Sequence, residues 1–368
     1  MSSFPIRLDG ARKILLIKPS ALGDVVQTLP IAATLHRRYP NIPLHWLVEA
    51  ESADIVRGTP AVAEIVVSAR KRWLRQLKCP GQIPTTLAEM RHFALDLRRR
   101  RYDVVLDLQG LFKSALYVIA TGAAVRVGFA EGRECSPWVL THRVVAPPQP
   151  VHAVDRYLAL AAAVDATEPV REHELVVSGE DMAAVRSHLA ASHVPLGSPR
   201  VVFHPGTRWR SKLWEVSRWR ELAAALLADG LGVILTGSGE DGKMAEAICA
   251  GMDPRLLSLV GRLSLNRLVA VLKSVDLLVT VDSGPMHIAA AVGTPVVALF
   301  GPTDPIRTGP RGPGRIIRRE LSCSPCLQRR CRIADTYRCM RDLSVAEVRG
   351  AVRDLLGSRI PASLTPSA

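Results

Sequence analysis

The stretch Leu277–Asp304, LLVTVDSGPMHIAAAVGTPVVALFGPTD, leaves the chain little freedom of fold. It reads as one β-α-β unit: an apolar run Leu277–Val281, a turn Asp282–Gly284, a short helix, and a second run Val296–Phe300. Pro285 suits a first helical turn because it lacks the N–H that would go unsatisfied there. Gly293 and Pro295 close the helix. Both runs are apolar and rich in β-branched residues, as in strands buried on both faces of a parallel sheet. Loops at the carboxyl ends of such strands form ligand crevices. Ser283 and Gly284 open a helix whose free N–H groups and dipole suit a phosphate. The same pattern also serves a plain strand-to-helix turn, and sequence alone leaves both readings open.

With 368 residues, 48% hydrophobic and 22% charged, the chain should form two globular domains. The longest uncharged run, Ser283–Thr303, carries internal prolines and glycines, which argues against a membrane span. The start MSSFPIRLDGARK has no apolar core of a secretory signal, so the expected compartment is the cytosol. A net charge of +14 calls for an anionic partner. No zinc-finger, KH or RRM signature accompanies it and aromatics are only 5%, which favours an anionic lipid or glycolipid over nucleic acid. Seven cysteines without a signal argue against a disulfide framework. Four cluster as Cys323, Cys326, Cys331 and Cys339, either a structural zinc site with unusual spacing or reduced thiols in a surface loop.

Lys13–Lys18, His45–Glu49, Glu64–Ser68, Asp103–Leu108 and Ala123–Gly128 read as strands. Between them lie a helix running to about Arg38, the basic stretch Arg70–Lys78, and a helix near Thr86–Arg100. The arginines Arg98–Arg101 complement that helix's dipole and need no further role. The prolines of Ala146–Pro150 break the alternation, and helical segments run to about Ser198. Strands resume at Val201–His204, Gly232–Thr236 and Leu257–Val260, and a last helix covers Val345–Leu356. Such alternation means an α/β fold of two parallel-sheet halves. The expected divisions are residues 1–175, 176–345, and a helix and tail at 346–368.

Three strand exits in the second half should converge. His204–Trp214 offers Gly206, the Thr207 hydroxyl and the point charge of Lys212 to a phosphate. Thr236–Asp241 is a glycine-rich turn in which Glu240 or Asp241 can hold ribose hydroxyls. In Asp282–His287, His287 sits in the first helical turn near where a phosphate would lie, though such histidines are commonly satisfied within the helix. Asp282 would repel phosphate and suits a sugar hydroxyl. Together the three read as a nucleotide-diphosphate pocket. In the first half Asp24, after the first strand, reads physically as a helix-start carboxylate. The chain contains no Asp-x-Asp of the kind that holds a nucleotide-sugar diphosphate through a divalent metal. Lys212, His287 and helix N-termini would then neutralise the leaving diphosphate, and the expected chemistry needs no metal or other cofactor.

The block Lys13–Pro30 (KILLIKPSALGDVVQTLP), together with Val281–His287 and Phe300–Pro305, resembles the ADP-heptose lipopolysaccharide heptosyltransferases of glycosyltransferase family 9 over nearly the whole chain. The stretches Asp107–Ser114, Gly132–Glu134, His152–Arg156 and His204–Trp214 are most similar to the heptosyltransferase I branch, which adds heptose to the Kdo residue on lipid A. Two features depart from that branch: the loop Thr207–Trp214 looks one residue longer than in some members, and the cysteine-rich segment is closer to other branches.

The resemblance implies a GT-B architecture, two Rossmann-like doubly wound domains facing a cleft, the first binding acceptor and the second donor. It raises Asp24 from helix cap to general base and gives Lys212 a catalytic role beside it. It implies that Thr207, Lys212, Asp282, Ser283, Gly284 and His287 hold ADP-heptose, and that Arg70, Arg72, Arg133 and Arg156 hold acceptor phosphates and carboxylates. The expected partners are ADP-heptose, Kdo-lipid A and the anionic inner-membrane surface, with attachment to its cytoplasmic face and no nucleic acid. The alternatives are a later-acting heptosyltransferase, a family member using another sugar, and a catalytically silent nucleotide-sugar or glycolipid-binding protein.

Overall fold

The computed structural model describes residues 5–171, 175–190, 194, 197–333 and 336–357. The chain divides into two compact units between Val176 and Val177.

The first unit is a six-stranded sheet built from β1 (Ile14–Ile17), β2 (Leu44–Glu49), β3 (Glu64–Ser68), β4 (Val104–Asp107), β5 (Val125–Phe129) and β6 (His142–Val144). The second uses β7 (Arg200–His204), β8 (Gly232–Leu235), β9 (Leu256–Ser258), β10 (Leu277–Val281), β11 (Val296–Phe300) and β12 (Gly314–Arg318). The orders are β3-β2-β1-β4-β5-β6 and β12-β11-β10-β7-β8-β9. Every pairing is parallel, with β1 in register on both β2 and β4, and β10 on both β7 and β11. Each unit therefore has the doubly wound order 3-2-1-4-5-6, with a switch point between its first and fourth strands.

The central strands form because their side chains are apolar on both faces: β1, β10 and β11 are buried at every position. Right-handed crossovers set the helices on opposite faces. In the first unit the helices Arg70–Gln76, Ile83–Arg99 and Phe112–Thr121 and the turn Ser136–Val139 pack side by side in one layer. Leu22–Val26 with Ala50–Val56, and Leu29–Arg38 with Ala153–Ala163, pair in the other.

The structure departs from the expected elements at two places. The single helix expected to run to Arg38 is two, Leu22–Val26 and Leu29–Arg38. Pro30 cannot donate to the carbonyl four residues back and starts the second helix instead. Strands β6 and β12 escaped notice because edge strands bury little of their surface; β12 is exposed or half-buried throughout. As expected, the connecting region to about Ser198 is helical in part, with a helix at Gly179–Ala190; some of it, like the tail from residue 358, lies outside the described residues.

The helix Val345–Leu356 packs on the second sheet, burying Val345, Val348, Ala351, Val352 and Leu356. Arg349 and Arg353 converge on the buried carboxylate of Asp229, each with an Nη2–Oδ1 distance of 2.5 Å. Those two guanidiniums hold that carboxyl below its usual pKa, against the opposing effect of burial.

Candidate active site

In the second unit the exits of β7, β8 and β10, adjacent in the sheet, bring together the residues read from the sequence. Lys212 ends a short turn, Arg210–Lys212, and its Nζ lies 2.7 Å from Asp282 Oδ2 across the β7/β10 switch point. Both side chains are largely buried, so the ammonium is held in one place by a carboxylate and by the Trp209 ring 4.6 Å away. The Lys212 loop is braced from behind by the cysteine-rich segment, where Ser211 Oγ donates to the Gln328 carbonyl at 2.6 Å. Thr207 Oγ1 reaches the Asp282 carbonyl at 3.5 Å.

After β10, Thr280 Oγ1 and Ser283 Oγ are 3.0 Å apart. Ser283 precedes the helix Gly284–Ala291 without capping it by its side chain, and Pro285 lies in the first turn. The leading N–H groups of this helix therefore face the exit without a side-chain acceptor from Ser283. His287 is buried in the same helix.

The turn after β8 distinguishes the two carboxylates. Asp241 accepts from Ser238 N–H at 2.7 Å and from the Ser238 hydroxyl at 2.8 Å. A Cβ at Gly206 would fall 2.7 Å from Asp241 Oδ1, so glycine is what permits this approach. Asp241 thus holds its own turn and packs closely against the β7 exit at Gly206, while Glu240 is exposed. His204, at the end of β7, stands 3.2 Å from Thr236 Oγ1, and burial pushes its imidazole down to about 4 despite the nearby Asp241 charge.

In the first unit Asp24 lies in the first turn of Leu22–Val26, and its Oδ2 accepts from Ala21 N–H at 3.3 Å. This is the helix-start role read from the sequence. The same oxygen lies 3.4 Å from the Nζ of Lys18, a residue 3% exposed at the end of β1. Oδ1 has no hydrogen-bond partner among the described residues, and the side chain is half-exposed. Burial opposes the charge of Lys18, but Asp24 and then Tyr157 more than offset it and leave its pKa raised. Lys18 also lies 4.9 Å over the Tyr157 ring and 3.4 Å from the Leu108 carbonyl across the β1/β4 switch point.

Among the described residues two further acids, Glu49 and Asp107, are buried at the ends of β2 and β4. Glu49, fully buried, pairs through Oε1 with Arg70 at 2.6 Å, while its Oε2 lies 3.7 Å from Lys71 Nζ and accepts no hydrogen bond. Asp107 accepts from Gln109 N–H, Gly110 N–H and the Ser114 hydroxyl, and burial raises its pKa against those bonds. Lys113 donates to Ser20 Oγ at 2.6 Å; burial lowers its pKa, and it senses Glu49, Arg70, Lys18 and Asp24 together.

The model of glycosyltransferase family 9 (heptosyltransferase) matches residues 90–336. The chain belongs to this family. It is 35% identical over 327 residues to lipopolysaccharide heptosyltransferase 1 of Pseudomonas aeruginosa, covering 87% of each chain. Its fold is similar to that of Escherichia coli ADP-heptose lps heptosyltransferase II, with TM-score 0.74, 27% identity, and 94% of this chain and 98% of the other covered. It is likewise similar to E. coli heptosyltransferase WaaC with ADP, with TM-score 0.71, 26% identity, and coverage of 93% and 99%. As a family 9 member the protein is a glycosyltransferase, and its two doubly wound units are those of the GT-B class.

The four arginines expected to meet an acceptor differ in what they already hold. Arg70 is committed to Glu49, and Arg72 to Glu89 at 2.8 Å. Arg133 is exposed and has no ion pair among the described residues. Arg156 is half-buried over the Phe129 ring at 4.5 Å, with its Nε buried and unpartnered. The last two can therefore take an anion without first breaking a pair. Lys18, Lys113 and Tyr157 were missed as site residues. The sequence signal for Lys18 was a charge directly after the apolar run Ile14–Ile17.

All seven cysteines are free thiols. Burial, and then its neighbours Cys326, Cys323 and Cys331, push Cys339 up to about 11. Among the described residues no group of three or more His, Cys, Asp or Glu is arranged to hold a metal ion, and no helix is long and apolar enough to cross a membrane.

Proposed function

We propose that this glycosyltransferase moves heptose from ADP-heptose to a Kdo residue of the lipopolysaccharide inner core on lipid A, inverting the anomeric centre in a single displacement without a metal ion. The observation that carries the reading is Asp24: one carboxylate oxygen is pinned by Lys18 and the helix start, and the other is open. Glu49 and Asp107 are fully buried whereas the Asp24 side chain is 41% exposed, so Asp24 is the base. The names of the P. aeruginosa and E. coli relatives support the heptosyl donor, and the ADP held by one E. coli structure supports the diphosphate pocket.

In the reaction Asp24 Oδ1 takes the proton of a Kdo hydroxyl as that oxygen attacks the anomeric carbon and the bond to ADP breaks. Charge grows on the departing diphosphate. Lys212, Thr207, His287 and the N–H groups at Ser283–Gly284 stabilise it from fixed positions, with Asp282 holding Lys212 in place. Glu240 holds the ribose, and Asp241 keeps the turn in shape. Arg133 and Arg156 take the acceptor's anionic groups, with Arg70 and Arg72 behind them. The enzyme works at the cytoplasmic face of the inner membrane, attached peripherally.

The test is incubation with ADP-heptose and Kdo-lipid A in EDTA, followed by mass spectrometry. A gain of one heptose is expected. A heptose-bearing acceptor is the second reading, favoured by the likeness to E. coli heptosyltransferase II; competing the two acceptors separates them. Donor binding without transfer to either would leave a silent nucleotide-sugar-binding protein.

A further inference from the structure

The exposed apolar side chains of the first unit are distributed unequally. Leu74, Leu87, Leu95, Phe112, Leu116, Ile119 and Trp138 all lie on one helical layer. None of the large exposed hydrophobics lies on Leu22–Val26, Leu29–Arg38, Ala50–Val56 or Ala153–Ala163, the helices of the opposite layer. Phe112, Leu116 and Ile119 follow helical spacing on a single outward face of Phe112–Thr121. On the neighbouring helix Ile83–Arg99 the outward stripe reads Leu87, Arg91, Leu95, Arg98. The two stripes meet at one end, where the Arg98 guanidinium lies against the bare Cα of Gly122. Trp138, on the turn flanking the other side of Phe112–Thr121, is 77% exposed.

Charge follows the same layer. From Arg70 to Arg143 the chain carries fourteen Lys and Arg against six Asp and Glu, more than half of the whole excess of +14. Arg91, Arg98 and Arg99 are exposed without an ion pair among the described residues. An apolar patch interleaved with unpaired cations matches a surface of acyl chains under anionic headgroups, where a protein-binding surface would favour fewer free charges.

We propose that this layer, centred on Leu116, Ile119, Trp138 and Arg91, is the face that docks on an anionic phospholipid bilayer. The choice of a bilayer rests on the proposed lipid-linked acceptor. The candidate acceptor residues Arg70, Arg72 and Arg133 stand on or beside the same layer, so docking would bring the strand exits of the first unit next to the headgroups from which the acceptor projects.

The experiment is co-sedimentation of the full chain with phosphatidylglycerol–phosphatidylethanolamine vesicles, against phosphatidylcholine alone. The wild type is expected to partition onto the anionic vesicles and to be released by salt. Each basic residue near such a surface contributes about a fivefold factor, so Arg91→Glu/Arg99→Glu should weaken binding more than about tenfold. Leu116→Ser/Ile119→Ser should do the same. Ile306→Ser/Ile316→Ser, which removes an exposed apolar pair from the second unit, should change nothing. Variants are compared only where their melting matches the wild type. Trp138→Phe gives an independent reading: vesicles should shift tryptophan emission to the blue in the wild type and not in this variant. Failure to bind anionic vesicles overturns the proposal, as does equal binding by the layer and control variants. A wild-type dimer that Ile119→Ser dissociates would show instead that a second copy covers this face. Because binding needs neither donor nor acceptor, absence of sugar transfer with these binding results intact removes the proposed reaction and leaves the docking face standing.

Discussion

The two units share a strand order and a switch point, yet their switch points are built on opposite electrostatic plans. Between β7 and β10 the largely buried ammonium of Lys212 is matched by the carboxylate of Asp282, beside the Thr207, Thr280 and Ser283 hydroxyls and the N–H groups that open the helix Gly284–Ala291. Between β1 and β4 a half-open carboxylate, Asp24, has Lys18 beside it and senses Lys113, while elsewhere in the unit Arg133 and Arg156 have no carboxylate partner among the described residues. A balanced site built largely of dipoles suits a nucleotide whose charge changes during reaction, because fixed dipoles need no reorganisation. A site with more cations than carboxylates and one half-open carboxylate suits an acceptor that arrives already anionic, as proposed above. One topology thus carries two electrostatic plans, because charge placement lies in the residues at strand ends rather than in the sheet.

The largest effects should come from the two switch points. Asp24→Asn is expected to lower kcat about 10²- to 10⁴-fold while leaving donor affinity by calorimetry nearly intact. Substantial turnover in this variant would return Asp24 to a simple helix cap and erase the contrast. Lys212→Ala should cost about 10²- to 10³-fold in kcat. Asp282→Asn should cost less, since the ammonium remains but is held less firmly; equal losses would mean that Asp282 touches substrate itself.

Stability carries the comparison to the β7 exit. Burial holds His204 at about 4, well below its unfolded value near 6.5, so the neutral form is the folded form. Between those values the unfolded chain binds more protons. Stability is therefore complete above about pH 6.5 and is lost as pH falls toward 4, by roughly 3 kcal/mol at most. Urea unfolding at several pH values should show that slope reduced in His204→Gln.

Smaller effects sharpen the division among the cations. Arg156→Ala should raise acceptor KM about tenfold or more, the worth of a charge-assisted contact, whereas Arg72→Ala, which loses an exposed ion pair, should change it less than about twofold. The reverse ranking would mean that existing ion pairs do not decide which arginines are available. Lys18→Met should lower kcat about fivefold without moving donor KM, with recovery in Lys18→Arg. A variant that only melts earlier and turns over normally would make Lys18 structural.

Much of the fold was legible because buried parallel strands announce themselves. β3, β10, β11 and the helix Val345–Leu356 lie where the apolar pattern places them. The edge strands β6 and β12 were not legible, since a strand buried on part of its surface has no long apolar run. The break at Pro30 was written in the sequence but overridden by the periodicity on either side. At the site, the positions of Thr207, Lys212, Asp282 and His287 could be read as strand exits. Their partnerships could not: Lys212 and Asp282 are 70 residues apart, and nothing local couples them.

The sequence by itself determined which segments are buried and therefore which loops stand at the carboxyl ends of strands, because periodicity and apolar runs are local properties that survive without a fold. Only the tertiary structure decided which charges are spent and which are free. Arg70 and Arg133 look alike in the chain, yet one is locked to buried Glu49 and the other has no ion pair among the described residues. Asp241 and Glu240 are neighbours, yet one holds a turn and the other faces solvent. Pairing depends on distances of a few ångströms between residues remote in sequence, and Coulomb energy and desolvation are set at that range.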